Sequence, residues 1–297
     1  MLSIKFPFRI ALAAWCLGSF VRCQADTCSL VPTADAFVAT GIGANNLSGE
    51  NFGAAGALTV ESGSLPKGRF QTVIKFDLSA ALAYFTAEYG AGAWAVQSIS
   101  LQLSSTQTHP NAMFNAVAAG QFGVSLMRNN SWVEGTGTGG APTANGITDD
   151  TLETSFINDA TDVALGTNQF PGGITGTNTY ELPTASGLAS DVMGGSNLTL
   201  RLYPADTNIS WLFNARSVAP GPTLFITAAP VTLAATLSGG NLLITWPANV
   251  PASFVLQQNS DLTSTNWTDV VTTNAQYQIL ISPTNSQEFF RLAAPGS

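Results

Sequence analysis

The chemistry open to this chain is narrow. Its one histidine, His109, stands before Pro110 in a loop-like stretch. Acyl transfer needs nucleophile, base and orienting acid held together, and no serine lies in a Gly-x-Ser-x-Gly elbow. Ser64-Leu65-Pro66-Lys67 has Ser-x-x-Lys spacing, but such a serine must open a buried helix, whereas Pro66 and Gly68 make a turn. Two carboxylates can hydrolyse a glycosidic bond. Of the 18 acids, Glu134 beside Trp132 is the one that suits a sugar ring, although a Trp132 that plugs a sandwich end and a Glu134 that caps a turn is the plainer pairing.

Metal chemistry is restricted by the same scarcity. Three cysteines occur, at 16, 23 and 28, and the first two fall in the leader described below. Cys28 and His109 cannot make a zinc or copper set between them. Calcium asks only for oxygen ligands, and Asp35, Glu61 and Asp77 on or beside strands are the candidates for one structural ion, with Asp149-Asp150 in a loop. No EF-hand loop is present, and no other cofactor is called for.

Sugar binding remains open, because a sandwich does it with aromatic faces against the pyranose and polar side chains on the hydroxyls. Trp132, Trp211, Tyr203 and Arg216 are the expected ligand-binding residues, with Trp94 as a further aromatic. Whether each is a platform or a core residue depends on exposure.

The elements that must position these groups are strands. β-branched or alternating runs bounded by Gly, Asn, Pro and Ser cover Ala36 to Thr40, Ala57 to Glu61, Thr72 to Asp77, Ser98 to Ser104, Gln121 to Met127, Leu198 to Tyr203 and Thr223 to Thr227. Helix is expected only at Ser79 to Tyr89, Asp150 to Asp159 and Ala185 to Met193. Gly135 to Gly146 and Gly166 to Thr179 read as long loops. After Ala228-Ala229-Pro230 the pattern restarts with six shorter strands, the first two joined by a Gly239-Gly240 hairpin turn. The fold class is therefore all-β: a large jelly-roll-like β-sandwich over 26–229, then a small fibronectin-III-like β-sandwich over 230–297.

The first 25 residues read as a secretory leader: Lys5 and Arg9, an apolar run from Ile10 to Val21, and a small-residue end at Ala25. The run is too short for a bilayer helix, and no later one is longer, so no membrane span is expected. Trp15 and Arg22 precede the leader's two cysteines and argue against lipidation. Cleavage removes three of the ten bases and no acid, leaving seven against 18. Such a surface repels phosphate backbones and anionic polymers, so nucleic acid is not an expected partner. Five Asn-x-Ser/Thr sequons, at Asn46, Asn129, Asn197, Asn208 and Asn266, arise readily in a chain this rich in Asn and Thr.

Several segments resemble the DNRLRE family, secreted bacterial β-sandwich modules related to carbohydrate-binding modules. These are Ala34-Asp35-Ala36-Phe37-Val38, Asn51-Phe52-Gly53, Val73-Ile74-Lys75-Phe76-Asp77-Leu78-Ser79, Ser131-Trp132-Val133-Glu134-Gly135, Leu200-Arg201-Leu202-Tyr203 and Pro222-Thr223-Leu224-Phe225-Ile226. The resemblance spans about 31 to 228, with an insertion around Leu82 to Trp94 and Asn214-Ala215-Arg216 in place of Ser-Arg-Glu. The tail, with Ile244-Thr245-Trp246-Pro247 and Phe289-Phe290-Arg291-Leu292, is similar to a C-terminal module of exported proteins of Verrucomicrobia and Planctomycetes.

Together these features imply a secreted or cell-surface, non-catalytic protein that binds a polysaccharide or cell-surface glycan. The alternative is a structural or adhesive layer protein built by homo-association through open strand edges. A polysaccharide lyase or glycoside hydrolase comes third.

Overall fold

A computed structural model of the chain describes residues 2–5, 25–43, 45–106, 117–142, 145–246, 254–270, 277–282 and 287–293. The chain divides into two compact units, one of Thr27–Leu82 and Ser98–Thr227, the other of Met1–Asp26, Ala83–Gln97 and Ala228–Ser297. It is all-β, as expected.

In the larger unit, a seven-stranded antiparallel sheet runs in the order Val163–Phe170, Gly120–Met127, Asn197–Pro204, Phe70–Asp77, Ala57–Glu61 and Ser210–Asn214, with Ala34–Ala39 also paired to Phe70–Asp77. A four-stranded sheet, which belongs to this unit over 27–30, 98–104, 177–182 and 223–227, has the order Thr177–Leu182, Trp94–Ser104, Thr223–Pro230 and Asp26–Leu30. The period-2 alternation that predicted the strands decides what each buries. Ile99, Leu101, Leu103, Leu224 and Ile226 are buried from the four-stranded sheet, and Leu198, Leu200 and Leu202 from the other. The two sheets meet in an aromatic core. Tyr180 lies edge-on to Phe122 at 5.0 Å and to Trp211 at 5.9 Å, while Phe170 stacks on Trp211 at 4.5 Å.

That stack corrects one expectation. Gly166 to Thr179 is not one loop: Val163–Phe170 and Thr177–Leu182 are strands at its two ends. Gly166, at φ +111, sits where the register shifts and absorbs a β-bulge, and the burial of Phe170 and Tyr180 outweighs the poor strand propensity of the glycines.

The helix Ser79–Tyr89 forms where expected. Asp150 to Asp159 is instead a capped turn, Asp149–Thr151, followed by one turn of π-helix, Leu152–Phe156. These belong to an excursion between strands, described over residues 128–142 and 145–162, that folds back over the seven-stranded sheet.

Asn51 fixes the excursion. The side chain is fully buried, and its Oδ1 accepts the N–H groups of Gly53 (3.2 Å) and Gly137 (2.8 Å). Its Nδ2 donates to the carbonyls of Glu134 (2.8 Å) and Ile147 (2.7 Å), so both donors and both lone pairs are used. Gly53 is required beside it, since a Cβ there would stand 2.1 Å from the Glu134 carbonyl oxygen.

The smaller unit contains a three-stranded sheet, Ala234–Ser238, Asn241–Thr245 and Gln278–Ile281, and a four-stranded one, Leu2–Lys5, Gln287–Ala293, Val255–Asn259 and Thr268–Asp269. Leu242, Ile244, Leu256 and Phe290 form its core, and Trp246 packs against them half-buried. Gly239 and Gly240, both at positive φ, make the expected hairpin turn. Four residues of the expected leader, Leu2–Lys5, pair with Gln287–Ala293; its apolar run lies outside the described residues. Among the described residues, no helix is long and apolar enough to cross a membrane.

Candidate functional site

Leu198, Leu200 and Leu202 turn inward along the central strand, which sends Thr199, Arg201 and Tyr203 to the opposite face. Register then chooses their neighbours: Arg201 lies opposite Ser125 on one side and Val73 on the other, and Tyr203 lies opposite Gly123.

The excursion covers part of this face. Trp132, Ile147 and Leu152 pack over Ala36, Val38, Val73 and Met127. The Trp132 indole N–H donates to Thr199 Oγ1 at 2.9 Å. Lys75 Nζ lies 4.5 Å over the indole and donates to the Trp132 carbonyl at 2.7 Å, with burial lowering its pKa from the ordinary lysine value.

Where the cover stops, a depression of about 200 Å³ is lined by Ser125, Asp159, Asp162, Ala164, Arg201 and Tyr203. Tyr203 leans over Gly123 so closely that a Cβ there would stand 2.3 Å from its ring. The Arg201 guanidinium lies 4.8 Å from the ring centre. A relay outside the depression fixes that guanidinium. Arg201 Nε donates to Gln71 Oε1 at 2.7 Å, and Gln71 Nε2 donates to Glu153 Oε1 at 2.8 Å. Glu153 also pairs with Arg69 at 2.7 Å, and Arg69 with Asp149 at 3.1 Å. Burial draws the Arg201 pKa downward, opposed by Glu153, and at so high a starting value the group stays a cation.

Two further groups define what the depression can hold. The Asp162 carboxylate is fixed by the N–H groups of Arg128 (2.9 Å) and Asn158 (3.0 Å). Ser125 is 8% exposed, and its buried Oγ has no hydrogen-bond partner among the described residues. A buried hydroxyl without a partner is uncommon and asks for a water or a ligand. A fixed guanidinium, two carboxylates and a tyrosine ring around one small hollow suit a polyol, whose hydroxyls donate and accept and whose carbons offer apolar faces.

The expected binding residues divide. Tyr203 lines the depression, half-buried. Trp132 and Trp211, expected as stacking faces, are corrected to core residues: they are 1% and 0% exposed, and the Trp211 N–H is satisfied by Ser105 Oγ at 3.0 Å. Trp94 is likewise buried. Arg216 does not join Tyr203. Its guanidinium grips Glu134 through Nε (3.0 Å) and Nη2 (2.6 Å), and its backbone N–H donates to Asp35 at 2.6 Å.

The three expected metal ligands do not converge. Asp35 is buried beneath the exposed Arg216 and beside Glu134; desolvation pushes its pKa up to about 7 against the pull of the Arg216 N–H, and the neighbouring Glu134 adds to the rise. Glu61 accepts from Ser210 Oγ at 2.7 Å, and burial raises its pKa. Asp77 accepts the Ser79 N–H at 2.9 Å at the start of the helix, and its bonds to Ser79 lower its pKa. Among the described residues no group of three His, Cys, Asp or Glu side chains is gathered around one point, and Asp35, Glu61 and Asp77 each keep a separate set of partners. His109 lies outside the described residues.

Sequence reasoning missed Ser125, Asp159, Asp162 and Arg201. Arg201 was within reach, since it shares the outward alternation of Tyr203 two residues away. No protein-family model matches the chain, and no curated protein matches it.

Proposed function

We propose that this chain is a non-catalytic polysaccharide-binding protein of the cell exterior, and that it engages its glycan at the hollow of Ser125, Arg201 and Tyr203. The observation that carries the reading is the half-buried Tyr203 ring beside a fixed guanidinium, in a hollow also lined by two carboxylates. Sugar hydroxyls find partners in the guanidinium and the carboxylates, and the ring supplies an apolar wall. An excess of acids, 18 against 10 bases, favours a neutral glycan over an anionic one. The order of segments that resembles the DNRLRE modules and the leader-like first 25 residues support the same reading.

Affinity electrophoresis through gels containing neutral and acidic polysaccharides, with and without calcium, tests it. Retardation by a neutral glycan is expected, without release of new reducing ends. A protein that no polysaccharide retards, or that cleaves one, refutes the proposal.

A further inference from the structure

We infer that the glycan site continues past Asp162 into a second, larger depression, so that the protein takes several consecutive units of a neutral polysaccharide rather than a single sugar; this rests on the reading above. The first hollow, about 200 Å³, is smaller than the roughly 300–1,000 Å³ that encloses a whole small ligand and accommodates one ring. The second, about 640 Å³, is lined by Arg128, Asn129, Asn130, Ser131, Phe156 and Asn158 among others.

Asp162 joins the two. It lines the first hollow, and its carboxylate is held by the N–H groups of Arg128 and Asn158, both of which line the second. A chain leaving the Tyr203 ring therefore crosses a ridge that is already fixed.

The chemistry of the second hollow matches a neutral polyol. Its lining is amides and hydroxyls with Phe156 and Ile157 as apolar surface. The one cation, Arg128, is neutralised by Asp191 at 2.6 Å, so the hollow has no free charge to recruit an anionic polymer. Asn130 donates through Nδ2 to the Asn197 carbonyl at 2.9 Å, which fixes the amide, while its Oδ1 is buried with no partner among the described residues. Ser125 lines the first hollow and Asn130 the second, and each carries a buried polar atom with no partner among the described residues.

Neutral glucose, mannose and xylose oligosaccharides of one to six units, titrated calorimetrically into the full chain, test the inference. Affinity is expected to rise at least tenfold from two units to five and then level. Asn130→Ala should flatten that rise and leave the weak binding of short oligomers intact. Thr161→Trp, which fills the second hollow from an exposed position, should do the same without touching a buried group. Tyr203→Ala should weaken every length. Equal affinity for one unit and six, or an unchanged rise in both second-hollow variants, overturns the extended site while leaving the first hollow standing. Binding at no length refutes both.

Discussion

Replacing Asp35 by asparagine should remove a defined part of the pH dependence of stability. The carboxyl is 1% exposed, pushed up to about 7, and held between the Arg216 N–H and the Glu134 carboxylate, which pairs in turn with the Arg216 guanidinium. In the unfolded chain it titrates near 3.9. Between about pH 4 and 7 the folded protein keeps a proton that the unfolded chain has lost, so the stabilisation is complete below pH 4 and disappears as pH rises through 7. Each pH unit between the two values is worth about 1.4 kcal/mol, which sets an upper bound of about 4 kcal/mol. An asparagine amide keeps the Arg216 N–H acceptor and supplies, at every pH, the donor that only a protonated Asp35 can offer Glu134. Urea unfolding from pH 4.5 to 8.5 should show the two proteins nearly equal at the acid end, with Asp35→Asn the more stable by about 2–4 kcal/mol above pH 7. Glu61 and Asp149 are also raised by burial and contribute to both curves, so the difference between the curves is the quantity to read. Parallel curves would show that Asp35 is already ionised at pH 5 and would refute the reasoning.

Other outcomes follow from the same geometry. Asn51→Ala deletes four buried hydrogen bonds at once and should cost about 3 kcal/mol or more, with the 134–147 segment becoming the first site of limited proteolysis. Trp211→Ala empties the centre of the aromatic core and should cost about 3–5 kcal/mol in urea unfolding, with no loss of glycan affinity in whatever fraction stays folded. Gly123→Ala places a methyl 2.3 Å from the Tyr203 ring, so glycan affinity should fall about tenfold, or about 1.4 kcal/mol, while the unfolding midpoint changes little; calorimetry and urea unfolding read the two separately.

What the sequence disclosed was what depends on period and local chemistry. Alternation from Leu198 to Tyr203 announced the strand, and the Gly239-Gly240 pair announced its hairpin. Exposure was not written there. Trp132 and Tyr203 look equally suited to stack on a sugar, and only the path of the 128–162 excursion, held by Asn51, covers one and leaves the other. The same holds for Ser125, a small polar residue in an apolar strand, whose meaning comes from lying opposite Arg201. Carboxylates spaced along the chain suggested calcium, yet cross-strand register gave Asp35, Glu61 and Asp77 three different sets of partners. The strands inside the supposed loop from Gly166 to Thr179 were hidden because glycine-rich composition says nothing of the Phe170 and Tyr180 contacts that hold them.

The most direct test of the central claim compares the wild-type chain with Tyr203→Ala on the polysaccharide that retards it most, by titration calorimetry, with urea unfolding as a check on the fold. The account predicts at least a tenfold loss of affinity at unchanged stability. A folded Tyr203→Ala variant that binds as tightly as the wild type would contradict it and move the glycan to another surface.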